Sequence, residues 1–170
     1  WLQGDQIYYL NLEGEIYKIS GGSESKITDQ KITDLRSVDA SFDNSLVLVS
    51  FGLNKPSFSV FDAASATFRP LPQNTLAAAW DPKANRIAYL RETAANSNLN
   101  ILSLTTNKTA EIIKLNQKGL ELDWVGPNEI YFTQKPSALA PGSLWSINLS
   151  TKKIKSVIKD ESGLMILWSQ

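Results

Sequence analysis

The sequence predicts an all-β chain assembled from four-stranded antiparallel units, on three observations. An aromatic residue closes a short apolar run at Trp1, Phe42, Trp80, Trp124 and Trp168, at steps of 41, 38, 44 and 44 residues. Each of the first four is followed by a turn-forming segment and then by a run rich in β-branched and aromatic residues. No stretch carries an apolar stripe of helical period, and the nearest, residues 62–67, is too short.

The elements follow in order from these repeats. Gln3-Gly4-Asp5 turns into a strand over 6–10, Asp43-Asn44 into one over 45–50, Asp81-Pro82-Lys83-Ala84-Asn85 into one over 86–90, and Gly126-Pro127-Asn128 into one over 129–132. A third strand with alternating apolar residues is expected over 15–19, 57–61, 99–104 and 144–149. A shorter fourth follows over 25–28, 67–71, 109–115 and 153–158. Hairpin chemistry joins the third and fourth strands: Gly21-Gly22, Asp62-Ala63-Ala64-Ser65, Thr105-Thr106-Asn107 and Ser150-Thr151. The last apolar run, 163–168, reads as the innermost strand of a further blade or as one that closes the first.

Four-stranded units recurring at about 40 to 45 residues are the signature of β-propeller blades, each sheet burying its faces against its neighbours. Glu15-Ile16-Tyr17-Lys18-Ile19-Ser20-Gly21-Gly22 and Ala79-Trp80-Asp81-Pro82-Lys83-Ala84-Asn85-Arg86-Ile87-Ala88-Tyr89 resemble TolB-like, WD-repeat-like propeller repeats. In those repeats a blade reads Trp-Ser-Pro-Asp-Gly-x-x-Ile-Ala-Tyr and later Ile-Tyr-x-x-Asp-x-x-Gly-Gly. The chain departs from the pattern with Asp81 for Ser, Asn85 for Gly and Phe42 for the second Trp. The resemblance implies a propeller of about four blades, over residues 1–34, 35–72, 73–116 and 117–160, with 161–170 starting or closing a blade. It reads as an arc of a larger propeller, with a closed four-bladed ring as the alternative. The repeated aromatics, and Trp145 in a third strand, are expected to pack between blades.

Composition narrows the function. The 170 residues carry 17 Lys plus Arg against 17 Asp plus Glu, a net charge of zero, so no basic field favours nucleic acid. With neither His nor Cys, the Ser-His-Asp and Cys-His nucleophile systems, imidazole or thiolate metal sites and disulfides all lack their parts. No phosphate-cradling glycine loop and no Gly-x-Ser-x-Gly elbow occurs. Asp29, Asp34, Asp39 and Asp43 lack the alternate spacing and turn glycine of a calcium loop and read as solvated surface. The chain is thus expected to be non-enzymatic, with no cofactor and no metal. No apolar run is long enough to cross a membrane as a helix. A first residue of Trp reads as a sign of a longer parent chain.

Binding residues concentrate on loops held by a rigid scaffold. The segments after the second strands, 52–56, 92–98 and 135–142, differ most between units, and in an up-and-down blade they share one face with the inter-blade connections. Arg91, Glu92, Asn98 and Lys135 are the candidate polar groups at this rim. Leu139 is the candidate apolar tip. Asp123 is a candidate channel carboxylate. The expected partner is a protein, peptide or glycan, with no nucleic acid and no membrane insertion. The resemblance alone implies an extracytoplasmic, envelope-associated setting. It also leaves a second possibility open, the gating propeller of a prolyl-oligopeptidase-like hydrolase whose chemistry lies on other sequence.

Overall fold

A computed structural model of the chain describes residues 1–134 and 141–166. The described residues form sixteen strands in four antiparallel sheets of four, with no helix. Each sheet is a meander in which consecutive strands are neighbours, as propeller blades require. Blade 1 holds β1 (Leu2–Gln3), β2 (Gln6–Leu10), β3 (Ile16–Ser20) and β4 (Ser23–Lys26). Blade 2 holds β5 (Leu35–Ala40), β6 (Leu46–Phe51), β7 (Ser57–Asp62) and β8 (Thr67–Pro70). Blade 3 holds β9 (Thr75–Trp80), β10 (Arg86–Glu92), β11 (Ser97–Ser103) and β12 (Lys108–Leu115). Blade 4 holds β13 (Leu120–Gly126), β14 (Glu129–Gln134), β15 (Gly142–Asn148) and β16 (Ile154–Glu161). The chain is an all-β protein of β-propeller blades.

The blades fall into two compact units, Trp1–Gln73 and Asn74–Gln170. In the first, Ile16, Ile32, Val47, Val49 and Phe61 are buried together, with Trp1 and Phe68 packed against them. Trp1 stacks on Tyr8 at 5.0 Å and meets Phe61 edge-on at 5.9 Å, so one indole joins blade 1 to blade 2. In the second unit the core runs from Ala88, Leu90 and Leu99 of blade 3 to Leu122, Trp124, Ile130 and Phe132 of blade 4. Trp145 is half-buried against this core, its ring 6.0 Å from that of Phe132.

The strand pairing corrects the expected role of Phe42. Trp80 lies opposite Ile87 and Trp124 opposite Ile130, but in blade 2 the residue opposite Val47 is Ala40. Phe42 therefore falls two residues late, inside the turn, and is 50% exposed. Its place corresponds to Pro82 of blade 3, while Ser41 and Asp81 occupy one repeat position and are both buried. The Ser41 hydroxyl accepts from the Leu46 backbone N–H at 3.0 Å and donates to Asp43 Oδ1 at 2.8 Å. In blade 3 the longer Asp81 accepts from the Lys83 N–H at 2.8 Å and from Arg86 Nε at 2.7 Å. The guanidinium of Arg86 then lies over the Trp124 ring, 5.1 Å from its centroid.

Two further expectations change. The expected loop over 92–98 is shortened at both ends, because Arg91 pairs with Asn98 and Glu92 with Ser97. Only residues 93–96 turn, closed by the Thr93 N–H to Asn96 O bond at 2.8 Å and by the two side chains. Residues 164–166 of the expected closing strand are not in a strand, and Trp168 lies outside the described residues.

Candidate functional site

The end of each blade that carries the second-to-third strand loop also carries its inter-blade connection, and in blades 2 and 3 the inner strand is irregular there. In blade 2 the ladder skips Arg36, between the pairs Leu35 with Phe51 and Ser37 with Ser50. In blade 3 it skips Leu76 at the same repeat position. A bulge re-aims the extra side chain. Arg36 accordingly leaves the ladder and donates to the carbonyls of Gly52 and Leu53, at 2.6 and 2.7 Å, which holds the loop over residues 52–56.

Of the residues singled out in the sequence, this rim brings together Arg91 and Asn98. They are directly opposed in the pairing of β10 with β11, so their side chains leave the same face. Asn98 Nδ2 donates to Glu111 Oε2 at 2.9 Å, while its Oδ1 is buried and accepts no hydrogen bond. Arg91 is exposed and forms no ion pair among the described residues. Glu92 alternates to the opposite face. Lys118, missed in the sequence, donates from Nζ to Ala94 O at 2.6 Å and ties the blade connection to the turn. Asp123 stands apart from this set, half-buried in mid-strand opposite Tyr131. Lys135 and Leu139 lie outside the described residues.

Asp39 holds in blade 2 the register position of Asp123 in blade 4. Desolvation pushes its carboxyl up from the ordinary value, opposed by a hydrogen bond from Ser37. Asp39 is itself exposed, as the solvated-surface reading of the sequence expects.

The first unit also carries a cleft of about 410 Å³ at its rim, which the sequence reading overlooked. Residues 10–14 form one wall and residues 32–35 the other. Asn11 builds the first wall by accepting through Oδ1 from the N–H groups of Glu13 and Glu15, at 3.0 and 2.9 Å. Gly14 joins it to the second, its carbonyl accepting from Ile32 N–H at 2.8 Å. The approach leaves no room for a side chain: a Cβ on Gly14 would lie 1.9 Å from Ile32 O. Leu12 is fully exposed at the tip, and Leu35 and Leu53 are also exposed.

Below the cleft, Glu15 gathers four donors. Lys26 and Lys31 reach its Oε1 at 3.2 and 3.1 Å, and Asn11 and Tyr17 reach Oε2, each at 3.2 Å. The Lys31 and Lys26 ammonium groups, with the Asn11 amide, hold this carboxyl down at about 2. Lys31 is thereby drawn toward Glu15, leaving Glu13 a distant 3.9 Å contact. The only sequence signal for the cleft was a leucine at the tip of the Asn11-Leu12-Glu13-Gly14 turn.

Four four-stranded antiparallel meanders, with no helix among the described residues, define a chain of β-propeller blades. Comparison with solved structures gives the same class. TolB from Acinetobacter baumannii is similar over 93% of this chain and 42% of its own, at 18% identity and a TM-score of 0.56. A prolyl endopeptidase is similar over 95% of this chain and 28% of its own, at 14% identity and a TM-score of 0.65. The β-propeller domain of the Trilobed protease from Pyrococcus furiosus matches over 78% of this chain and 45% of its own, at 14% identity and a TM-score of 0.53. The likeness is one of fold, and the chain spans less than half the length of each of these proteins. No protein-family model and no curated protein matches the sequence.

Proposed function

We propose that the chain is a non-catalytic propeller scaffold that binds a protein, peptide or glycan through its rim loops, within a longer envelope-associated protein. The observation that carries this reading is the rigid presentation of apolar groups to solvent at the rim. Leu12 and Leu53 stand exposed on loops whose backbones are pinned, by Asn11 in one case and by Arg36 in the other. Exposed apolar side chains on ordered loops mark interaction surfaces. The absence of His and Cys from the sequence supports the non-catalytic part. The envelope setting rests on the likeness to TolB-like repeats.

A photo-crosslinking amino acid placed at position 12 or 94 of the full chain, in its native cell extract, tests the reading. Discrete adducts are expected from these positions and none from position 157 on β16. Equal labelling at all three positions, with no binding on a glycan array, refutes it. The fold likeness to a prolyl endopeptidase favours a second reading, the gating domain of a hydrolase. Peptidase activity of the parent chain that changes with rim substitutions would select that reading instead.

A further inference from the structure

We propose that the cleft between residues 10–14 and 32–35 receives a peptide segment carrying a large apolar side chain next to a lysine or arginine. The proposal rests on the reading of the rim as a binding surface and names its occupant. Leu10, Leu12, Ile32 and Leu35 give the cleft apolar walls, and a volume of about 410 Å³ admits a side chain of leucine or phenylalanine size with its backbone. No aromatic ring lines it, so a sugar finds no stacking platform there.

The charged groups of the lining are both acidic, Glu13 and Asp34. The nearby cations are already engaged. Lys31 sits on Glu15 at 3.1 Å and only at 3.9 Å from Glu13, and Arg36 is turned onto the carbonyls of Gly52 and Leu53, which leaves Asp34 as the freer carboxylate. Asp34 forms no ion pair among the described residues, and its side chain is exposed. An apolar slot edged by two carboxylates complements a cation beside an apolar anchor, and repels an acidic segment.

The wall geometry is fixed before any partner arrives. Gly14 is locked against Ile32, and the Gly52 N–H donates to Asp34 O at 2.9 Å. Little ordering cost then falls on the protein side. Asp34 has a left-handed backbone, φ 54°, which asparagine also tolerates, so Asp34→Asn removes the charge without forcing the loop.

The test selects peptides from a random display library on the full chain, then measures dye-labelled synthetic copies by fluorescence anisotropy. The probes are expected to carry an apolar residue next to Lys or Arg. Leu12→Ser is expected to weaken them by about tenfold or more, the loss of a buried leucine contact. Asp34→Asn is expected to weaken them about two- to fivefold at low salt, and not at high salt, as for an exposed ion pair. Val157→Ser, on β16 of the second unit, is expected to leave them unchanged. Circular dichroism of each variant establishes that the sheets are intact. Selected peptides that lack a cation, or that bind Asp34→Asn as tightly as the native chain at low salt, overturn the proposal. Peptides lost with Arg91→Ala and retained with Leu12→Ser overturn the cleft while leaving rim binding standing. Failure to select any peptide overturns the proposal even where crosslinking at position 12 still reports a partner.

Discussion

Replacing Trp124 by alanine tests the blade assignment most directly. The indole is 6% exposed, packed among the blade 3 and blade 4 residues of the second unit's core, and its Nε1 donates to Gly126 O at 2.9 Å. Truncating a buried tryptophan costs about 3 to 5 kcal/mol, from lost transfer energy and the cavity left behind. The Arg86 guanidinium over the ring adds about 0.5 to 1 kcal/mol, the lower range being appropriate because Arg86 reaches solvent. The lost hydrogen bond adds little, since Gly126 is only half-buried and its carbonyl can turn to water. A total of about 4 kcal/mol is expected. Phe42→Ala, at a half-exposed turn position, is expected to cost less than about 1 kcal/mol. Urea unfolding followed by far-ultraviolet circular dichroism gives both losses, and amide exchange over β13 and β14 localises the first. A Trp124→Ala loss below about 2 kcal/mol, or one no larger than that of Phe42→Ala, would refute the reasoning.

Other consequences concern the rim and the turns. Because the Glu15 carboxyl titrates near 2 in the folded chain, well below its ordinary value of 4.5, its stabilising contribution is present above pH 4.5 and is lost as pH falls toward 2. Glu15→Gln should flatten the acid limb of a stability-against-pH curve measured in that window. Gly14→Ala should destabilise by well over 1 kcal/mol, since it adds a collision with Ile32 O to the left-handed strain at φ 77°. Gly22→Ala meets no neighbour within 4 Å and should show only the strain, about 1 to 2 kcal/mol in chemical denaturation. Asp81→Ala should cost about 1 to 3 kcal/mol by urea titration, as bonds to Arg86 and the Lys83 N–H are lost from a carboxylate that is 1% exposed. Asp81→Ser, the residue blade 2 uses at Ser41, should cost less.

Period-two alternation and turn chemistry act over a few neighbouring residues, which is why the strands were legible from the amino-acid order alone. Ile87, Tyr89 and their neighbours announce β10, and Asp62-Ala63-Ala64-Ser65 announces its hairpin, whatever lies elsewhere in the chain. The absence of His and Cys is likewise a property of composition. Counting aromatics located the blades but misplaced one wedge. Register is set by which backbone groups pair across strands, and that pairing put Ala40 opposite Val47 and left Phe42 in the turn.

The polar rim set was only partly visible for the same reason. Alternation separates Glu92 from its neighbour Arg91, while the antiparallel ladder brings Asn98 across from Arg91. Only tertiary structure could reveal the cleft, because its walls are some twenty residues apart and meet through Gly14 and Ile32. Glu15 shows the point for charge: the cations chiefly responsible for its depressed carboxyl, Lys31 and Lys26, arrive from the connection beyond the fourth strand and from that strand itself, while its sequence neighbours Asn11 and Tyr17 contribute less. Local chemistry dictates the strands, whereas contacts between distant segments determine the shape and the charge of the rim.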